Sequence, residues 1–566
     1  MQNFPWIKSY PQGVRWDDAL NLTSVQTLLD NAVQQWPDQP AIDFMGKKLS
    51  YGELSALVDR AAAGFQALGV KPGVHVGLYL PNTPHYVISF FGILKAGGTV
   101  VNYSPLDAEK VLEHKVDDSE TDILVTLSLA SLYPNMKGLL GKTRLQHLVV
   151  GTLGEFSAMP AAVDAKMAAD GQSVAVAFDA QQHSFEQLLA NDGQHQVWPV
   201  ADVTKTLAVL QYTGGTTGLP KGAMLSHGNV TAATQQAMLT ATLGGTSLQT
   251  GCERMLVVLP LFHVYAMVVD MLLGIQIGAE LVLCVRFDPG AALKDIASRR
   301  ITCFPGVPTM FTAVVSHPDV ASHDLRSLKV CNSGGAPMPV ELLHRFEALT
   351  GCHLTEGWGM TETASLGTFT PAVGDAKPGS CGMPAPHVRL QFADVADPSR
   401  IAPQGERGEI TIAGPNVMMG YWKNPKATAE SFTPDGFFRT GDVGYMDEDG
   451  YVYIVDRTKD MLLCGGFNVY PRLIEDAIYA HPLVQEVMVI GIADAYRGES
   501  PKAYIKLKAG AEPITLESLK DFLKTRLGKH EMIYAMELRD DLPKTAVGKL
   551  SKKMLHDQLA QETKTA

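Results

Sequence analysis

Glycines, threonines and one lysine are concentrated in the segment YTGGTTGLPKG at residues 212–222. Glycines allow the backbone to turn tightly and to bring N–H groups against a ligand. Threonine hydroxyls add hydrogen-bond donors and Lys221 adds a positive charge, so the segment has the groups that hold a polyphosphate. It differs from the Walker pattern because Pro220 and Gly222 flank the lysine. The alternative interpretation is a surface turn rich in glycine and threonine.

Two further loops contain residues suited to a ligand. In PLFHVYAM, residues 260–267, His263 interrupts an apolar run, although a core histidine with satisfied hydrogen bonds would give the same pattern. The segment NSGGAPMP at residues 332–339 is predicted to join a strand to a helix. Glycines and a helix N-terminus can contact an anion or a nucleobase there. Such loops are common in α/β folds, so this pattern is weak by itself.

Three more segments carry polar side chains of defined chemistry. In EGWGMTET, residues 356–363, Trp358 could stack on a purine, while Thr361 and Glu362 offer hard oxygen ligands suited to Mg²⁺ with its phosphates. Asp442 and Arg457 could bind the two hydroxyls of a ribose, or could form a salt bridge between a turn and a strand. The basic segment LPKTAVGKLSKK at residues 542–553 is, by itself, typical of a solvated tail.

Length and charge limit the classes of protein that fit. The 566 residues correspond to roughly three or four domain-sized units. A net charge of −12 argues against nucleic-acid binding, so an anionic ligand must be met by locally placed cations. Seven cysteines without a C-x-x-C pair indicate reduced thiols in a cytoplasmic protein. The sequence contains no H-E-x-x-H motif, so it gives no indication of a zinc site. The N-terminal residues lack the pattern of a signal peptide.

The apolar stretch at residues 255–285 is about as long as a membrane span, but Asp270 and Glu280 within it would be costly in lipid. A buried strand, a core helix and a second strand are predicted instead. Strand–helix–strand patterns at residues 74–103 and 328–356 favour an α/β fold with mostly parallel sheets. In such sheets ligands bind at the carboxyl ends of strands, where the polar loops lie.

The pattern of predicted strands and helices changes twice towards the C-terminus. We predict a large N-terminal domain at residues 1–456, with two βαβ-type sheets and a small antiparallel β subdomain at about residues 401–456. A small α+β domain at residues 457–566 is predicted to follow, with the boundary at residues 456–460.

The order and spacing of these segments resemble the adenylate-forming superfamily of acyl-CoA synthetases, luciferases and peptide-synthetase adenylation domains. The resemblance covers about residues 23–555. The run DGFFRTGDVGYMDEDGYVYIVDRTKD at residues 435–460, continued by MLLCGGFNVYP, is most similar to fatty-acyl-CoA synthetases. The phrases IKSYPQGV and LQYTGGTTG are similar to the bacterial medium- and long-chain branch.

The resemblance implies a two-step reaction in one site. A fatty acid carboxylate attacks the α-phosphate of ATP with Mg²⁺ present, giving acyl-adenylate and pyrophosphate, and coenzyme A then displaces AMP. It implies catalytic roles for Lys549, Thr361, Lys221 and His263, with Glu362 binding Mg²⁺. The ATP site it implies comprises Thr213, Gly214, Gly215, Thr216, Thr217, Gly218, Lys221, Gly335, Ala336, Pro337, Gly357, Trp358, Gly359, Met360, Thr361, Asp442, Ile454, Arg457 and Lys549.

The remaining expected residues concern the acyl chain, coenzyme A and domain motion. The acyl pocket is expected at His263, Val264, Met267, Val307, Gly334 and Gly335. The coenzyme A tunnel is expected at Cys464, Gly465, Gly466 and Phe467. Lys459 matches the family hinge about which a mobile C-terminal domain swings. Certain long-chain members carry a tryptophan gate at the position of Met267, so chain length is open here.

Four activities remain to be separated. The principal hypothesis is an AMP-forming fatty acid–coenzyme A ligase, with aryl or branched acids as alternative substrates. A luciferase-like monooxygenase, an enzyme that loads a carrier protein, and a non-catalytic lipid-binding relative are the others. We expect a cytoplasmic monomer or homodimer that contacts the inner membrane surface peripherally and binds no nucleic acid.

Overall fold

Two large, mostly parallel sheets and three smaller sheets, one of them mixed, make up the described part of the computed structural model. It describes residues 4–213, 220–242, 248–336, 338–372, 377–395, 397–464, 467–494, 496–545 and 548–565. Strands are numbered β1–β25 and helices α1–α16 along these residues. The predicted α/β fold class is confirmed.

The first large sheet has the strand order β7-β6-β5-β3-β4-β8-β9, in which only the β8–β9 pair is antiparallel. Its strands are β3 (His75–Leu78), β4 (Thr99–Asn102), β5 (Thr121–Leu127), β6 (His147–Gly151), β7 (Gln182–Ser184), β8 (Leu207–Thr213) and β9 (Lys221–Ser226). The glycine- and threonine-rich segment therefore lies between the last two strands of this sheet.

The second large sheet has the order β14-β13-β12-β10-β11-β1-β2, in which only the β1–β2 pair is antiparallel. Its strands are β1 (Pro40–Phe44), β2 (Lys47–Ser50), β10 (Arg254–Val257), β11 (Glu280–Leu283), β12 (Cys303–Gly306), β13 (Val330–Gly334) and β14 (Leu354–Gly357). The loops after β13 and β14 are the two polar loops that the sequence singles out.

Three smaller sheets follow. Two strands, β15 (Thr368–Phe369) and β16 (Met383–Pro384), form a short antiparallel pair. The antiparallel sheet β17 (Arg389–Ala393), β18 (Gly408–Ala413), β19 (Phe438–Met446) and β20 (Val452–Arg457) begins before the predicted residue 401. The C-terminal sheet comprises β21 (Leu462–Cys464), β22 (Phe467–Val469), β23 (Val484–Asp494), β24 (Gly498–Leu507) and β25 (Ala535–Leu538).

Helices connect and cover the sheets. The α-helices are α1 (Gln26–Gln35), α2 (Tyr51–Ala67), α3 (Pro84–Lys95), α4 (Glu109–Asp118), α5 (Tyr133–Lys137), α6 (Pro160–Ala169), α7 (Phe185–Leu189), α8 (His227–Thr242), α9 (Leu273–Gln276), α10 (Pro289–Arg299), α11 (Pro308–Val315), α12 (Val340–Thr350), α13 (Pro425–Glu430), α14 (Pro471–Tyr479), α15 (Leu516–Leu523) and α16 (Lys552–Thr565). Short 3₁₀ turns lie at Pro5–Ser9, Val320–Ser322 and Thr361–Thr363, and a π-helical segment at Ala266–Leu272 runs into α9.

Local sequence signals explain the positions of several helix ends. Helix α2 begins with a capping box in which the Ser50 hydroxyl accepts from the Glu53 N–H at 3.1 Å. Helix α3 begins with a proline, which needs no N–H partner in the first turn. Gly97, with φ +88°, follows the end of α3 and provides the left-handed conformation for the return to β4.

The carboxyl ends of the two large sheets are joined by the buried side chain of Asn82. Its Nδ2 donates to the carbonyls of Val257 and Leu259 at 3.1 and 2.8 Å, and its Oδ1 accepts from the Leu261 N–H at 2.8 Å. Asn82 follows β3 and its three partners follow or end β10, so this amide links the two sheets.

The apolar stretch at residues 255–285 contains β10, the π-helical segment, α9 and β11 in that order. In the part of the chain that the structure describes, no helix combines the length and the apolar character needed to cross a membrane.

Candidate active site

A cavity of about 1610 Å³ lies where the carboxyl ends of the two large sheets meet the antiparallel sheet and the C-terminal residues. Single-ligand pockets are typically about 300–1,000 Å³, so this cavity has room for more than one substrate. Most of the predicted nucleotide residues line it: Thr213, Lys221, Gly335, Ala336, Gly357, Trp358, Gly359, Met360, Thr361, Asp442, Ile454, Arg457 and Lys549.

A chain of three polar side chains crosses one wall of the cavity. The indole N–H of Trp358 donates to Asp442 Oδ2 at 2.9 Å, and Arg457 Nε donates to Asp442 Oδ1 at 3.1 Å. The predicted ion pair therefore exists, but it joins facing residues of the paired strands β19 and β20, and both of its members also line the cavity. Asp442 is 7% exposed, whereas the Arg457 side chain is 46% exposed and keeps donors available to a ligand.

The carboxylate of Glu362 lies deeper, with 6% of the residue exposed. Its Oε1 accepts a hydrogen bond from the Tyr421 hydroxyl at 2.8 Å. Loss of hydration raises the pKa of Glu362, while the Tyr421 hydroxyl and the charges of Arg457 and Lys221 oppose that rise. The Lys221 ammonium lies 4.4 Å from the centroid of the Tyr421 ring. The sequence did not single out Tyr421, because its partners are far away in the chain.

The site suits Mg²⁺ only in company with phosphates. No group of three or more His, Cys, Asp or Glu side chains suited to a metal occurs among the described residues. Mg²⁺ usually keeps several waters and takes one or two carboxylates plus substrate phosphates. Glu362, with the Thr361 hydroxyl beside it on the same turn, provides one such carboxylate at the cavity wall.

Lys549 reaches the cavity from the C-terminal side. It ends a tight turn in which the Thr545 N–H donates to the Lys549 carbonyl at 2.7 Å, and Thr309 Oγ1 donates to the Gly548 carbonyl at 3.1 Å. Loss of hydration lowers the pKa of Lys549 to about 8, and the Arg457 charge adds to that shift. The lysine side chain lies directly over Gly335, where a Cβ would come within 2.1 Å of its Cε.

The other end of the cavity is apolar, and the described residues that line it carry no charge. It runs between α8 and the π-helical segment with α9, past His263, Val264 and Val307. Loss of hydration, and then the Lys549 charge, lower the pKa of His263 to about 3, so the ring is neutral. The walls farther from His263 are formed by Ala237, Thr240, Ala241, Val269, Leu273 and Ile277.

Three predicted residues lie away from the cavity wall. Met267, expected in the acyl pocket, is fully buried in the core, where Asn102 Nδ2 approaches its sulfur at 3.7 Å. Cys464 is buried in the C-terminal core, and Phe467 is 59% exposed and stacks against His530 at 5.2 Å. Lys459, the predicted hinge, lines the cavity, as does Gly334. The predicted residues Gly214, Gly215, Thr216, Thr217, Gly218, Pro337, Gly465 and Gly466 lie outside the described residues.

Glu356 is a second cavity residue to which the sequence assigned no role. Its Oε2 accepts from the Met338 N–H at 3.0 Å, and loss of hydration raises its pKa to about 7. Arg472 and Asp476 of α14 act on it from the C-terminal side, with opposite effects on its pKa. Glu356 therefore ties the loop after β13 to β14 beside the C-terminal domain.

Comparison with known proteins agrees with this geometry. The family model described as AMP-binding enzyme matches residues 29–422, and the model described as AMP-binding enzyme C-terminal domain matches residues 473–549. The chain therefore belongs to the AMP-binding enzyme family, and the resemblance found in the sequence is confirmed.

The chain is similar over nearly its whole length to curated relatives. It is 38% identical over 557 residues to a long-chain-fatty-acid–CoA ligase of Bacillus subtilis (strain 168), covering 98% of each chain. It is 36% identical over 562 residues to a long-chain-fatty-acid–CoA ligase of Escherichia coli O6:H1, again covering 98% of each. A feruloyl-CoA synthase of Amycolatopsis sp is 35% identical over 520 residues, which cover 91% of this chain and 95% of the synthase.

A solved structure has the same fold. ATP-bound MatB from Rhodopseudomonas palustris is 28% identical and superposes with a TM-score of 0.79, covering 95% of this chain and 99% of MatB.

The contact between Gly335 and Lys549 makes a testable prediction. In Gly335→Ala the new Cβ would meet Lys549 Cε and Nζ, so the end of the lysine side chain has to move away from Gly335. We expect amide hydrogen exchange at Lys549 to increase by roughly threefold or more, because its side chain loses its packing against Gly335.

Gly351→Ala is the matched control. Gly351 has φ +73°, close to the +78° of Gly335, but a Cβ there would meet nothing within 4 Å. Equal exchange in the two variants would mean that backbone strain, not the displaced lysine, causes the change.

Proposed function

We propose that this protein joins a fatty acid to coenzyme A in an ATP-dependent, AMP-forming reaction that passes through an acyl-adenylate. One observation carries the proposal: the end of the cavity that holds Lys221, Arg457 and Lys549, suited to ATP, is continuous with an apolar end whose described lining residues carry no charge, suited to an acyl chain. The curated names of relatives 36–38% identical over the whole chain support the same substrate class.

In the first step a carboxylate oxygen attacks the α-phosphorus of ATP, and the bond to pyrophosphate breaks. Both reactants are anions, so the protein has to neutralise charge and to align the reacting atoms. We assign Lys221 to the β- and γ-phosphates, Trp358 to the adenine, and Asp442 with Arg457 to the ribose. Gly335 and Ala336 would lie along the adenine edge.

Glu362 would hold Mg²⁺, with Thr361 near the α-phosphate. When bound, Mg²⁺ supplies positive charge to the phosphate oxygens and orients them. Loss of hydration raises the pKa of Glu362, and the charges of Arg457 and Lys221 oppose that rise; positive charge at this wall, including that of Mg²⁺, would favour the carboxylate.

The acyl chain would extend from His263 and Val264 into the apolar end. Tyr265, Val269, Leu273 and Ile277 line this end at four-residue spacing along the π-helical segment and α9. A neutral His263 and the absence of charge among these lining residues favour an uncharged aliphatic tail. The feruloyl-CoA synthase relative makes an aryl acid the second candidate.

In the second step the coenzyme A thiol gives up its proton to solvent and its sulfur attacks the acyl carbonyl carbon. The bond from that carbon to the phosphate oxygen breaks, and AMP leaves with the electron pair. We propose that the C-terminal domain turns about Lys459 between the steps. Such a turn would withdraw Lys549 and bring the hairpin of β21 and β22, with Cys464 and Phe467, to the thiol. In the described arrangement Lys549 occupies the cavity while Phe467 is exposed to solvent.

A carrier-loading enzyme and a luciferase-like monooxygenase would share the first step and differ in the second. Cytoplasmic location, peripheral contact with a membrane, and a monomeric or homodimeric state stay predictions of the sequence.

The function is tested with a panel of carboxylic acids from short to long chains that includes benzoate and cinnamate types. We expect AMP release that requires coenzyme A and peaks among medium- and long-chain fatty acids. Pyrophosphate release without dependence on coenzyme A would contradict the ligase and favour carrier loading or oxidation. Maximal activity with aryl acids would contradict fatty acids as the substrate class and leave the reaction type unchanged.

The same panel locates the acyl chain. Ala241→Trp places a large ring at the wall of the apolar end, so the preferred chain should become shorter by several carbons while ATP dependence is retained. Ala241→Ser, which hardly changes the volume, should leave the preferred length unchanged. An unaltered chain-length profile in Ala241→Trp would place the acyl chain elsewhere.

Lys549 is expected to act in the first step only. Lys549→Ala should reduce adenylation by about 10²–10³-fold, because a charge aimed at the reacting phosphate is removed. Thioester formation from supplied acyl-adenylate should persist. Equal loss in both half-reactions would contradict this role.

The pH dependence of adenylation provides a second measurement on Lys549. Because its pKa is lowered to about 8, the side chain loses its charge as the pH rises through that value, and kcat/KM should fall above it. Lys549→Arg keeps the charge at every accessible pH. The kcat/KM of this variant, if measurable, should therefore stay constant above that pH. A decrease in kcat/KM at the same pH would show that a group other than Lys549 is titrating.

A further inference from the structure

A short segment connects the two charged groups of the phosphate site. Residues 416–422, which we call the strap, lie between β18 and α13. On one side the Met418 N–H donates to the Glu362 carbonyl at 2.8 Å, and Asn416 Nδ2 donates to the Thr363 carbonyl at 2.8 Å. The strap therefore fixes the backbone of the turn that carries Glu362.

On its other side the strap pairs with β9, which begins at Lys221. The Met224 N–H donates to the Gly420 carbonyl at 2.9 Å, and the Trp422 N–H donates to the Gly222 carbonyl at 2.8 Å. The position of Lys221 relative to Glu362 is thus set by backbone hydrogen bonds through one segment, although the two residues belong to different parts of the chain.

Tyr421 completes this connection with its side chain. Its hydroxyl donates to Glu362 Oε1 at 2.8 Å, and the face of its ring lies 4.4 Å from the Lys221 ammonium. The residue is 6% exposed and lines the cavity. Each of two opposite charges is therefore held by a different part of one side chain.

Separate contacts to Tyr421 prevent a direct ion pair between Lys221 and Glu362. A lysine and a glutamate at one cavity wall attract each other, and a direct ion pair would neutralise both. ATP would then have to break that pair before its phosphates reached the lysine. A cation over an aromatic face keeps its charge and its remaining N–H donors. A carboxylate that accepts one hydroxyl keeps lone pairs for Mg²⁺.

We propose that Tyr421 is a positioning residue that keeps Lys221 and Glu362 apart and aimed at the β- and γ-phosphates and at Mg²⁺, respectively. It does not touch the reacting atoms and acts through its two neighbours. The inference rests on the proposed ATP site, but it requires neither an acyl substrate nor coenzyme A.

Equilibrium binding of ATP and AMP in the presence of Mg²⁺ tests the proposal by calorimetry. AMP lacks the β- and γ-phosphates, so its affinity should be the same in all variants. In Tyr421→Phe the ring remains and the hydroxyl is lost, so ATP should need roughly tenfold more Mg²⁺ for the same affinity. In Tyr421→Leu the ring contact is lost as well, and ATP affinity should fall by a further ~3-fold or more.

Trp422→Phe is the matched control from the same strap. It removes the hydrogen bond from Trp422 Nε1 to the Asp118 carbonyl at 2.8 Å, which lies outside the phosphate site. Its thermal stability should fall at least as much as that of Tyr421→Phe, with ATP and AMP affinities unchanged.

Several outcomes would overturn the proposal: wild-type affinity for ATP and Mg²⁺ in both Tyr421 variants, equal weakening of AMP and ATP, or the same Mg²⁺ dependence in Trp422→Phe. If the binding shifts appear but no fatty acid is activated, Tyr421 retains this role and the proposed function fails instead.

Discussion

The active-site cleft is organised by the need to bring two anions together in a protein that is itself acidic. The chain carries a net charge of −12, so the attraction for ATP and a carboxylate has to come from a few cations placed in the cleft. Lys221, Arg457 and Lys549 all line one cavity. Their mutual repulsion is visible in Lys549, whose lowered pKa is due partly to Arg457. The folded chain keeps these charges close because each comes from a separately anchored element.

The anchoring also explains what the sequence could and could not predict. Glycine-rich loops after apolar strands singled out Lys221 and Glu362 as candidates, whereas Lys549 was singled out by the family resemblance. Tyr421 carries no local signal, because its partner Glu362 is 59 positions away and Lys221 is farther still. The family resemblance placed Met267 in the acyl pocket, four residues after His263, but its side chain is fully buried, with Asn102 Nδ2 3.7 Å from its sulfur. The direction of that side chain follows from packing between distant elements, which the linear motif does not show.

The two half-reactions place conflicting demands on the C-terminal domain. In the described arrangement Lys549 lies over Gly335, and Thr309 binds the turn that presents it. The hairpin of β21 and β22 stands apart, with Phe467 against His530. In the proposed turn about Lys459, one orientation of the C-terminal residues presents Lys549 and another presents the hairpin. The apolar end of the cavity, in contrast, is built from the N-terminal sheets and helices, and can hold the acyl group throughout.

The central claim is that a carboxylate oxygen attacks the α-phosphorus of ATP. The most direct test is turnover with a fatty acid whose carboxylate is labelled with ¹⁸O, followed by mass spectrometry of the AMP. Because the attacking oxygen stays on phosphorus when the thiol displaces AMP, the account predicts one labelled oxygen in each AMP. Unlabelled AMP, with the label in inorganic phosphate or pyrophosphate, would show attack at another phosphorus and would contradict the account.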